Sequence, residues 1–66
     1  MPKPKYDIEV KLCGQNGNAF MLIGLVARAL RREVSAEAAS EFTAQAMQSG
    51  SYDELLAFIM ETVEVV

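Results

Sequence analysis

The sequence predicts a small α+β domain of β-α-α-α-β order, its two terminal strands paired antiparallel against a three-helix layer. Three observations predict it. Residues 6–13 alternate with period two; an apolar run from Ala19 has helical spacing and is followed by two serine-led helical segments; and Thr62-Val63-Glu64-Val65-Val66 alternates again.

Residues 1–5 read as a flexible arm and residues 6–66 as one domain. Pro2 and Pro4 cannot donate to a strand ladder, and Lys3 and Lys5 keep the arm solvated. In the first strand Tyr6, Ile8, Val10 and Leu12 share one face, while Asp7, Glu9, Lys11 and Cys13 share the other. Gly14-Gln15-Asn16-Gly17-Asn18 follows as a turn: glycine and asparagine tolerate positive φ, and Asn18 or Asn16 is a natural helix N-cap.

The first helix is expected from Ala19 to Arg32. Its core stripe reads as Phe20, Ile23, Ala27 and Leu30, with Val26 and Val34 beside it. Met21, Leu22 and Leu25 fall off that stripe, so the helix is apolar nearly all round. A 66-residue chain does not easily enclose such a helix. Phe20, Met21, Leu22, Gly24 and Leu25 are therefore the expected interface of a homo-oligomer. Gly24 costs about 1 kcal/mol in a helix interior and implies close approach by another element. Arg28, Arg31 and Arg32 stand in the last turns, where the helix dipole favours cations.

Ser35 caps a second helix over about 36–48, with Ala39, Phe42 and Ala46 as its stripe and Ala38 alongside. Glu37, in its first turn, stands where it could meet the arginines that end the first helix. Ser49-Gly50-Ser51 breaks the chain. Ser51 and Glu54 then form a capping box for a third helix to about Met60, with Leu55, Leu56, Ile59 and Val63 facing inward.

The totals exclude several functions. With one cysteine, Cys13, and no histidine, neither an intrachain disulfide nor a structural zinc site is expected. No Ser/Lys, Cys/His or metal-ligand constellation is present, so the chain does not read as an enzyme, and no cofactor is expected. The longest apolar run, Ala19 to Ala27, is far short of the roughly 20 residues of a membrane span. The charged start shows no signal-peptide pattern. A cytoplasmic protein without membrane contact is the expectation.

Charge divides the chain. Residues 1–32 hold all six basic residues with Asp7 and Glu9, a balance of +4; residues 33–66 hold seven acids and no base, −7. The halves either pair across the fold or a subunit contact, or the basic half meets an anionic ligand. Duplex nucleic acid is disfavoured, because six basic residues on an acidic chain make a small footprint.

Val10-Lys11-Leu12, Gly14-Gln15-Asn16-Gly17-Asn18-Ala19-Phe20, Gly24, Ala29-Leu30-Arg31-Arg32, Glu41-Phe42, Ser49-Gly50, Tyr52-Asp53, Leu55-Leu56 and Met60 resemble a group of short uncharacterised proteins of bacteria and their phages. The resemblance covers the chain from Val10 onward and implies no particular activity. Its association with phages suggests an inhibitor of host defence or a sponge for a host nucleotide signal.

A glycine-containing turn ahead of a helix can offer N–H groups to an anion. The expected ligand residues are Gln15, Asn16, Gly17 and Asn18 with Lys11, Arg28 and Arg31. Arg28 lies ten residues beyond Asn18, roughly 15 Å along a helix, so a clamp on one anion would need a neighbouring protomer. Two functions follow as expectations: sequestration of a small anionic or nucleotide-like ligand at an oligomer boundary, or an interaction module that docks on a host protein complex.

Overall fold

A computed structural model describes residues 4–12 and 18–66. The order is β1 (Glu9–Val10), α1 (Ala19–Glu33), α2 (Ala36–Ala46), α3 (Tyr52–Thr62) and β2 (Glu64–Val65). The molecule is mostly helical, and its sheet is a two-stranded ribbon of two residues per strand. The strands are parallel, Glu9 opposite Glu64 and Val10 opposite Val65. This corrects the antiparallel α+β expectation. Alternation states which face of a strand is buried, not which way the strand runs. A parallel pair needs a long crossover, and the three helices supply it.

The pairing extends beyond the strand residues. Tyr6 N–H donates to the Thr62 carbonyl at 2.9 Å, Glu64 N–H to Ile8 at 2.9 Å, Val66 N–H to Val10 at 3.0 Å, and Leu12 N–H to Val66 at 3.0 Å. Val10 and Leu12 are buried and Tyr6 and Ile8 half-buried, whereas Lys5, Asp7, Glu9 and Lys11 are exposed, so the expected two-faced pattern holds. Thr62 and Val63, expected to open the second strand, instead end α3 and cap it. The Thr62 hydroxyl donates to the Phe58 carbonyl at 2.7 Å, which satisfies it where it is buried.

Each helix starts on its expected cap. Asn18 accepts from the Phe20 N–H at 2.9 Å, Ser35 from Ala38 at 3.0 Å, and Ser51 from Glu54 at 3.2 Å. α1 buries Leu22, Ile23, Val26, Ala29 and Leu30. This is rotated from the expected stripe: Phe20 and Val34 are exposed, Ala27 is half-buried, and Leu22, assigned to the interface, is a core residue. A helix apolar nearly all round gives periodicity no gradient from which to choose its inward side. Gly24 is exposed, and a Cβ there would meet nothing within 4 Å among the described residues, so no described element approaches it closely.

α2 buries Ala38, Ala39, Phe42 and Ala46 as expected and ends at Ala46, earlier than Gln48. α3 buries Leu55 and Ile59, with Leu56 half-buried. One hydrophobic cluster joins all three helices to both ends of the chain, and Val26, Leu30, Ile59 and Val63 are sealed at its centre. Phe58 stacks on Phe42, centroids 5.3 Å apart and planes 7° apart, a contact between α3 and α2 that the sequence did not single out.

Candidate functional site

Of the expected ligand residues, Gln15, Asn16 and Gly17 lie outside the described residues, as do Cys13 and Gly14. Asn18 is exposed at the start of α1, its side-chain oxygen engaged as the cap. Lys11 is exposed beyond β1. Arg28 and Arg31 stand together near the other end of α1, roughly 15 Å along the axis from Asn18 at 1.5 Å per residue. The structure therefore brings the two arginines to each other and not to the cap.

Arg28 and Arg31 border a shallow groove of about 750 Å³ between α1 and α2. Its other lining residues are small: Ala27, Ala39, Ser40 and Thr43 are among them. The Thr43 hydroxyl donates to the Ala39 carbonyl at 2.8 Å and is spoken for. Among the described residues neither arginine has an acidic partner. Among the described residues the one ion pair is Arg32 with its exposed neighbour Glu33, 3.8 Å apart. Glu37 does not reach the arginines, and among the described residues this contact between chain neighbours is the one ion pair that joins the basic half to the acidic half.

A second feature was not read from the sequence. Where the starts of α1 and α3 meet the end of α2, a cleft of about 230 Å³ opens. Phe20, Met47 and Tyr52 line it at 68%, 56% and 42% exposure, and buried Ile23, Ala46 and Leu55 complete its wall. The sequence pattern does not single out Met47, and it gives Phe20 to both the core stripe and the oligomer interface, because the meeting of the two depends on how α2 folds back along α1. A third depression, beside Phe42 and Phe58 and flanked by Lys5, Tyr6 and Glu41, is small at about 60 Å³. The Lys5 ammonium lies 5.5 Å from the Tyr6 ring centroid beside it.

Compared with known protein families, curated proteins and solved structures, the chain matches none. The site must be read from its own chemistry. Among the described residues no three His, Cys, Asp or Glu gather to hold a metal ion, and no helix is long and apolar enough to cross a membrane. What the surface does present is an apolar cleft at one end of α1 and an arginine-bordered groove toward the other.

Proposed function

We propose that the chain is a non-enzymatic binding protein that docks on another protein, and that the Phe20–Met47–Tyr52 cleft takes a bulky apolar side chain of that partner. The observation that carries this reading is the exposure of three large side chains around one concavity. Contiguous exposed apolar surface marks contact sites, and binding energy concentrates where an anchor side chain fills a pocket lined by aromatic and Met residues. At about 230 Å³ the cleft falls below the roughly 300–1,000 Å³ of small-molecule sites and suits one side chain. Asp53 and Glu54 follow Tyr52 in the first turn of α3, so an anchor flanked by lysine or arginine fits best.

Capture of a small anion draws less support, because Asn18 is occupied as a cap and the arginines open onto a different groove. The two readings separate in a titration of isotope-labelled protein. A helical peptide with a tryptophan anchor between lysines should shift the amides of Phe20, Met47 and Tyr52. Replacing the tryptophan by alanine, or Phe20→Ala in the protein, should weaken binding about tenfold or more, as loss of an anchor contact does. Nucleotides that shift Asn18 and Arg28, with a peptide that leaves the cleft unmoved, would overturn the proposal.

A further inference from the structure

The arginine groove has a complement on the same molecule. On α3, Asp53, Ala57, Met60 and Glu61 are all exposed, and their spacing of four, three and one residues places them on one outward face. Met60, 64% exposed, stands as the large apolar side chain between two acids. Leu55, Ile59 and Thr62 hold the opposite face in the core, so this face is fixed outward. The groove is the inverse: small side chains between α1 and α2, with Arg28 and Arg31 at its edge.

We propose that the groove between α1 and α2 receives the Asp53–Met60–Glu61 face of α3 from a second copy of this chain. Three observations select a second copy. The residues outside the described set contain no Asp or Glu, so nothing within one chain remains to neutralise Arg28 and Arg31. All six bases lie in residues 1–32 and seven of nine acids beyond, yet among the described residues no ion pair crosses between helices, which leaves that complementarity to act between molecules. And shape agrees with charge: a helix can settle into a groove floored by small residues, where flexible Met60 fills the space left between them.

Groove and knob are different surfaces, so the contact is head-to-tail. Such contacts propagate into a ring or an open chain instead of stopping at a two-fold dimer. It is centred away from the docking cleft, since neither Phe20 nor Met47 takes part and Asp53 alone stands beside both surfaces.

Sedimentation of the full chain at low salt, from micromolar to millimolar, tests it. The mass of the wild type should climb from 7.2 kDa with concentration, and 0.5 M NaCl should suppress the climb. Arg28→Glu/Arg31→Glu and Asp53→Lys/Glu61→Lys, each folded by circular dichroism, should both stay at monomer mass. Mixed in equal amounts they should associate again, because each then offers the other an opposite-charged groove and knob. Phe20→Ala should leave the association unchanged while weakening peptide binding, which separates this contact from the docking site. A wild type fixed at 7.2 kDa, association indifferent to either reversal, or a mixture that stays monomeric would overturn it.

Discussion

The carboxylate of Glu54 reaches beyond the N-cap Ser51 and accepts from the Gly50 N–H at 2.6 Å, while Ser51 accepts from the Glu54 N–H at 3.2 Å. This is a capping box displaced by one residue: the usual return bond goes to the N-cap's own N–H. Ser and Glu three apart made the box legible, but its offset depends on how Ser49–Gly50 enter the helix. Gly50 makes room for it, since a Cβ there would lie 2.7 Å from that carboxylate oxygen. Glu54→Ala should therefore cost about 0.5–2 kcal/mol in urea unfolding, the usual range for a lost cap. An unchanged midpoint would mean that water replaces the carboxylate without loss. Gly24 carries the opposite expectation. Among the described residues nothing stands within 4 Å of its would-be Cβ, so Gly24→Ala should stabilise the monomer by up to about 1 kcal/mol through helix propensity. A loss of stability there would reveal a neighbour that the fold does not supply.

At the scale of elements, what was legible was whatever local chemistry fixes. Asn18, Ser35 and Ser51 cap as their residue types demand, and Ala39, Phe42 and Ala46 form the one stripe α2 could bury. What was not legible depends on partners distant in sequence. The inward side of α1 was chosen by α2 and α3 from several apolar options, which buried Leu22 and expelled Phe20. The strand direction was set by three intervening helices, and the cleft by three helix ends meeting. The parallel register has its own consequence. Glu9 and Glu64 are exposed directly opposite one another, a like-charge pair that cross-strand geometry penalises. Glu64→Lys should raise stability by about 0.2–1 kcal/mol in chemical denaturation by converting it to an attractive pair. Destabilisation by the lysine would count against this register.

For the whole molecule, one cluster ties both strand segments to all three helices, and among the described residues no second core stands behind it. A domain of this length is expected to hold only about 3–10 kcal/mol of net stability. Ile59 is fully buried in the same cluster as Leu30, Val26 and Val63, on the helix that leads directly into the second strand. Removing one methylene, Ile59→Val, should cost about 0.5–1.5 kcal/mol and leave a cooperative transition at lower denaturant. Ile59→Ala removes more and leaves a cavity, at about 2–5 kcal/mol, a loss comparable with the whole margin. That variant should keep helical far-ultraviolet signal while losing the near-ultraviolet signal of ordered tyrosines, the mark of helices that persist without fixed packing. With the core so narrow, the exposed Phe20, Met47, Tyr52 and Met60 side chains are apolar area withheld from it. If Ile59→Ala lost less than about 1 kcal/mol and unfolded in one sharp step, the cluster would not be the single core on which the fold depends, and keeping those four side chains outside would cost the molecule little.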